Sequence, residues 1–159
     1  MRKQEFIWLS CISILMTFSI LSLGEEKRVL PTSLIRNVQW FPQGDRKLFI
    51  IGVEPNEILV IMDKNGNKKE IAMGVVESVI SPDGKKIAYI SRKDGLWIVN
   101  SDGSNQVHLL NERGIDIIWS PSSDELLYVL PQKERTLLYS IDIKTKERIL
   151  LHEEMFPKR

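Results

Sequence analysis

The sequence predicts an all-β protein made of three tandem, four-stranded antiparallel units. Three observations predict it. A proline-centred motif recurs at spacings of 40 and 39 residues, at Pro42, Pro82 and Pro121. Short runs rich in Ile, Val, Leu, Tyr and Trp follow each copy, as suits pleated and largely buried sheet. Turn chemistry separates the runs, and after residue 36 no long stretch keeps a helical period between breakers.

The motif reads Val38-Gln39-Trp40-Phe41-Pro42-Gln43-Gly44, then Val79-Ile80-Ser81-Pro82-Asp83-Gly84, then Ile117-Ile118-Trp119-Ser120-Pro121-Ser122-Ser123. An apolar strand follows in each unit: Lys47 to Ile51, Lys86 to Ile90, Glu125 to Val129. A second strand follows at Ile58 to Asp63, Leu96 to Asn100 and Leu137 to Asp142. A short last strand closes each unit, around Glu70 to Ala72, Gln106 to Leu110 and Arg148 to Leu151. In Ser81-Pro82-Asp83-Gly84 the proline presets φ, the aspartate accepts local backbone N–H bonds, and the glycine takes the left-handed position. Asn65-Gly66, Asp94-Gly95 and Asp102-Gly103 give similar signals between later strands. A period of about 40 residues with four strands per unit is the signature of a β-propeller blade.

The expected boundaries are 38–73, 76–110 and 115–151 for the blades. Residues 25–37 form a linker that could add one strand, and residues 152–159 form a C-terminal tail. Ahead of these, Arg2 and Lys3 precede an uncharged run from Phe6 to Leu23, followed by Gly24. A basic head, an apolar body and small residues at Ser22 and Gly24 fit a helical signal peptide over residues 1–24. The run is near the lower limit for a membrane-spanning helix, so attachment through residues 6–23 is the alternative. Either way the expectation is export: periplasmic, extracellular, or anchored and facing outside. Cys11 lies within this apolar run and is the sole cysteine of the 159 residues, so no disulfide can form within the chain.

Charge is balanced, with 22 Lys and Arg against 21 Asp and Glu. Beyond residue 24 the count is 20 of each, which gives no electrostatic case for a nucleic-acid partner.

The stretch Ser81-Pro82-Asp83-Gly84-Lys85-Lys86-Ile87-Ala88-Tyr89-Ile90-Ser91, followed by Leu96-Trp97-Ile98-Val99-Asn100-Ser101-Asp102-Gly103, closely resembles the WD-repeat-like blade of TolB-type propellers. Related repeats occur in propeller domains of prolyl-oligopeptidase-like peptidases. The first unit departs at the turn but keeps Gly44. The third has Ser122-Ser123-Asp124 and no glycine. The resemblance covers residues 38–151. It implies a propeller fold and, for TolB relatives, protein–protein interaction in the periplasm. It carries over no catalytic residue.

Propellers close with about 4–8 blades, and three leave two sheet faces uncovered. The expected forms are an open or half propeller covered by terminal segments, a homodimer completing a six-bladed ring, or part of a longer propeller or peptidase protein.

The candidate site residues are those of the blade motif, Pro42, Gly44, Ser81, Pro82, Asp83, Gly84, Ser120 and Pro121, in a structural role. Asp63-Lys64-Asn65-Gly66-Asn67 starts like a calcium loop, but its glycine falls fourth rather than sixth, so a hairpin turn is expected. His108 and His152 sit in last strands of successive blades and make a weak case for metal. Trp40, Trp97, Trp119, Tyr89, Tyr128 and Tyr139 fall where inter-blade core would lie. Lys85, Lys86, Arg92, Lys93, Lys144 and Lys146 read as solvated turn residues. No Gly-x-Ser-x-Gly elbow and no phosphate-cradling loop is present. The expected function is non-catalytic binding of a protein or peptide, without a cofactor. The alternative is a propeller-scaffold enzyme, a lyase or glycan hydrolase, which requires polar side chains converging at the central channel.

Overall fold

The repeats fold into three separate sheets of four antiparallel strands. A computed structural model describes residues 35–156, which lie in the unit Ser33–Arg159. The expectations for the leader and for residues 25–34 lie outside the described residues. Blade 1 contains β1 (Ile35–Trp40), β2 (Arg46–Ile51), β3 (Ile58–Asp63) and β4 (Lys68–Met73). Blade 2 contains β5 (Val75–Ile80), β6 (Lys86–Ser91), β7 (Gly95–Asn100) and β8 (Val107–Leu110). Blade 3 contains β9 (Asp116–Trp119), β10 (Glu125–Pro131), β11 (Arg135–Asp142) and β12 (Arg148–Met155). Each sheet is a meander in which sequence neighbours pair. The first strand of blade 2 approaches the first strands of both flanking blades, so β1, β5 and β9 form the inner edge.

Two boundaries differ from the sequence expectation. β1 begins at Ile35, inside the segment read as linker, and β12 runs to Met155, through the first half of the segment read as tail. Both extensions follow pairing partners: Ile35 stands opposite Ile51, and Met155 opposite Arg135. These flanks are polar in sequence, and pairing along a longer neighbour extends them where the apolar pattern stops.

The cores lie between the sheets. Leu48, Ile50, Leu59 and Ile61 on the forward face of blade 1 form one buried cluster with Ile87, Tyr89 and Val99 on the rear face of blade 2. Ala88, Ile90, Leu96 and Ile98 on the forward face of blade 2 form a second with Leu126, Tyr128, Leu137 and Ile141 on the rear face of blade 3. Side chains alternate across a strand. The middle blade therefore reads as a nearly continuous apolar run because both of its faces are covered.

Candidate interaction site on the inner strands and loop rim

The blade motif forms the turn between the first two strands of each sheet. In blade 2 the Gly84 N–H donates to the Ser81 carbonyl (2.8 Å), and the Ser81 N–H to the Lys86 carbonyl (2.9 Å). The Ser81 hydroxyl donates to Asp83 Oδ1 (2.6 Å) and accepts from the Lys86 N–H (2.9 Å). Burial alone would raise the Asp83 carboxyl. The Ser81 hydroxyl, the Lys85 N–H and the charges of Lys85 and Lys86 together hold it below its ordinary value. Pro42, Pro82 and Pro121 occupy the corresponding turn positions. Gly44 and Gly84 are left-handed at φ 71° and 70°, and in blade 3 Ser123 takes that conformation at φ 63°. Asp124 there accepts from Ser120 Oγ (3.0 Å), as Asp83 does from Ser81, so the turn survives loss of its glycine. The turns also stack: Gln43 donates to the Asp83 carbonyl (3.2 Å), and the Asp83 N–H to Ser123 Oγ (3.1 Å).

The inner strands gather polar side chains that the sequence reading did not single out. β1 carries a bulge between Arg36 and Gln39, with Asn37 left-handed at φ 52°. Asparagine tolerates that region better than most residues, and bulges re-aim side chains. Asn37 donates to the Glu77 carboxylate and accepts from Gln39 and from the Ser78 hydroxyl (3.1 Å). Gln39 also donates to the Ser78 carbonyl (2.5 Å) and accepts from the Ile80 N–H (3.2 Å). Burial pushes the Glu77 carboxyl above its ordinary value. The nearby Asp116 adds to this, against the Ser78 N–H, Arg36 and Asn37.

That displacement sets a pH dependence. The folded chain holds the Glu77 proton more tightly than the unfolded chain. Its contribution is fully present below the ordinary value of 4.5 and is lost as pH rises through the folded value. Glu77→Gln is therefore expected to raise Tm at pH 7, with the difference fading below about pH 4. Thermal unfolding across that range checks it, and a pH-independent difference would contradict it.

At one rim the β2–β3 loop places Glu57 in a charged cluster. Glu57 is 1% exposed and pairs with Arg92 (2.6 Å) and Arg36 (3.0 Å), while Arg92 also reaches Glu54 (2.8 Å). Arg36 donates further to the carbonyls of Val76 (2.7 Å) and Val75 (3.1 Å). Burial opposes the charge of Glu57 most strongly, but its backbone hydrogen bond and the two arginines outweigh it and hold the carboxyl low. Arg92 is thus a buried-pair partner between blades 1 and 2, not a solvated turn residue. Charge alternation in a loop is the only sequence signal, and it does not show which charges meet. The same rim exposes Val53 and Ile115 among charged side chains.

The remaining candidates are dispersed. Asp63 caps a hairpin turn: Oδ1 accepts from the N–H groups of Asn65 (2.8 Å) and Asn67 (2.9 Å), and the Asn67 amide bonds its other oxygen. That amide first, then the backbone N–H groups, hold the Asp63 carboxyl low. His108 lies against Trp97, with ring centroids 4.6 Å apart, and its Nε2 meets the Asp94 carbonyl (2.6 Å). His152 meets Glu154 instead (3.3 Å). Among the described residues no three His, Cys, Asp or Glu side chains gather as metal ligands. Tyr89, Trp119 and Tyr128 are buried and Trp97 and Tyr139 partly so, but Trp40 is 63% exposed. Its exposure corrects the expectation that it is core, and the cause is positional: it lies on the rear face of the first blade, which no described blade covers. Among the described residues no helix is long and apolar enough to cross a membrane.

No family model matches the chain. It is 34% identical over 104 residues to a Tricorn protease homolog of Saccharolobus solfataricus, covering 61% of this chain and 9% of the relative. It is 27% identical over 121 residues to a Tricorn-like protease C-terminal subunit of Sulfurisphaera tokodaii, covering 72% and 13%. The chain thus spans about a tenth of the length of these curated relatives. Among solved structures it resembles TolB from Acinetobacter baumannii, with TM-score 0.59, 16% identity and coverage of 74% of this chain and 32% of TolB. It also resembles the β-propeller domain of the Trilobed protease from Pyrococcus furiosus, with TM-score 0.59, 20% identity and coverage of 78% and 43%. The described residues therefore have the fold of three β-propeller blades, similar to those of TolB and of the Trilobed protease propeller.

Proposed function

We propose that the chain is an exported, non-catalytic propeller module that binds a protein or peptide of the cell envelope at its loop rim, with the blades as a rigid scaffold. One observation carries this. The inner-strand groups Asn37, Gln39 and Ser78 are occupied in hydrogen bonds between blades 1 and 2, while the rim carrying Glu54 and Arg92 exposes apolar Val53 and Ile115. Apolar contacts set among charges suit a protein surface. The protease names of the curated relatives agree with a peptide ligand. Export rests on residues 1–24 of the sequence, with attachment through residues 6–23 as its membrane-bound form.

A photo-crosslinking residue at Val53 or Ile115 tests the binding surface in the native envelope. A discrete adduct is expected at these positions and none at Asn65, which lies in the turn at the opposite end of β3. Equal labelling at all three would overturn the rim assignment. A second reading, a lyase or glycan hydrolase on the same scaffold, draws on the displaced Glu77 carboxyl beside Asp116. It requires polysaccharide cleavage that Glu77→Gln abolishes, whereas the binding reading expects no cleavage by either form.

A further inference from the structure

The three described blades form an array with two end faces. Each internal contact joins the forward face of a blade to the rear face of the next. Among the described residues, two faces of the same kinds have no partner blade: the rear of blade 1 and the forward face of blade 3. The rear of blade 1 carries an apolar groove lined by Ile35, Val38, Phe49, Ile51, Ile58 and Met62 and edged by Lys47 and Lys68, with Phe49 and its partner Val60 buried at the floor and Ile35 and Val38 exposed. The forward face of blade 3 presents Ile118, Leu127, Val129 and Leu138, which share a face by their strand pairing.

Trp40 gives the clearest sign that the groove is built to receive a blade. By repeat spacing its counterpart in blade 2 is Ile80 and in blade 3 is Trp119. Ile80 packs against the cluster between blades 1 and 2. Trp119 is 7% exposed, and its indole N–H donates to the Val79 carbonyl of the preceding blade (3.2 Å). Trp40, opposite Lys47 on the rear face, is 63% exposed. The counterpart of Val79 one blade on is Ile118, itself 55% exposed on the free face of blade 3.

Charge agrees with the pairing. The rear of blade 1 carries Lys47, Lys68 and Glu70, whose partners Trp40, Met62 and Val60 lie on that face. The forward face of blade 3 carries Asp116, Glu125 and Glu154, opposite Val129, Asp142 and Thr136. Arg46, the counterpart of Glu125 in blade 1, already reaches the Ser101 carbonyl of the next blade (2.6 Å).

We propose that two copies of this chain close a six-bladed ring, the rear face of blade 1 in each docking on the forward face of blade 3 in the other. Trp40 of one copy then takes the place of Trp119 in the internal contact, its indole N–H directed at the Ile118 carbonyl of the second copy. Six blades lie within the range in which propellers close, and a two-fold ring uses both open ends and leaves none exposed. The inference concerns the end faces and goes beyond the rim reading. Loss of rim crosslinking would leave it standing.

The test uses the full chain, with detergent present for the apolar run, in a Cys11→Ser background. Light scattering is expected to give twice the 18.4 kDa chain mass after subtraction of detergent. With a flexible bismaleimide, Lys47→Cys and Glu125→Cys combined should give a dimer band that neither substitution gives alone. Trp40→Glu, at an exposed position, should keep the β-sheet circular dichroism and weaken dimerisation at least tenfold. A monomeric mass at tens of micromolar, equal crosslinking by single and double variants, or a dimer unaffected by Trp40→Glu would each overturn the proposal. A monomer is also the outcome if neighbouring blades of a longer polypeptide cover these faces.

Discussion

Replacing Tyr128 with Ala is expected to cost about 3–5 kcal/mol of stability, the range for deleting a fully buried large aromatic. Tyr128 is 0% exposed and lies in the cluster between blades 2 and 3. Its hydroxyl accepts from the Gly114 N–H and donates to the Glu112 carbonyl, so it ties the loop before β9 to the core. Gly114 makes this approach possible: a Cβ there would stand 2.5 Å from the tyrosine ring. Tyr128→Phe keeps the ring and leaves two backbone groups without their partner, for a smaller loss of about 1–3 kcal/mol. Urea unfolding of the two variants separates the contributions. Equal losses would assign the effect to the hydroxyl, and a loss below about 1 kcal/mol for Ala would contradict tight packing here.

Arg92→Leu is the second large effect, expected at about 3 kcal/mol, because removing one partner of a buried ion pair leaves the other charge poorly compensated. Arg36 still faces Glu57 in that variant, which places the loss at the lower end of the known range. The acid limb gives a second readout. A carboxyl held low in the folded state contributes stability that is present above its ordinary value of 4.5 and lost as pH falls through the folded value. The gap between parent and Arg92→Leu should therefore narrow in acid, as measured by urea unfolding at pH 7 and pH 3. Arg92→Lys should recover only part of the loss, since Glu54 and Glu57 both meet the one Nη2, which lies a bond further along the side chain than a lysine ammonium.

The blades were legible because their determinants are local. Proline, aspartate and glycine at fixed offsets set the hairpins, and alternating or continuous apolar runs set the strands, as at Lys86 to Ser91. The glycine-free turn at Ser123 was harder to read, because any residue held by Asp124 and Ser120 can be driven into the left-handed region at modest cost. The inner-strand cluster and the Glu57 pairs were not legible. Asn37 and Glu77 are 40 residues apart, and Arg36, Glu57 and Arg92 come from three different elements. No short pattern marks such meetings. Trp40 shows the other limit: its position in the repeat was plain, but its exposure depends on what lies beyond the first blade.

The middle sheet has a consequence for how this chain opens. An array of three units has two internal junctions, and blade 2 takes part in both, whereas each outer blade has one. β12 is exposed along its whole length, while β6 is buried in all but its first residue. Amide hydrogen exchange should therefore follow a gradient, fastest in β12 and slowest in β6 and β7, with the outer sheets opening before the centre. Closing the array end to end would erase much of that gradient by giving every blade two junctions. The exchange profile of β1 and β9 to β12 thus reports whether the chain behaves as a line or as a circle.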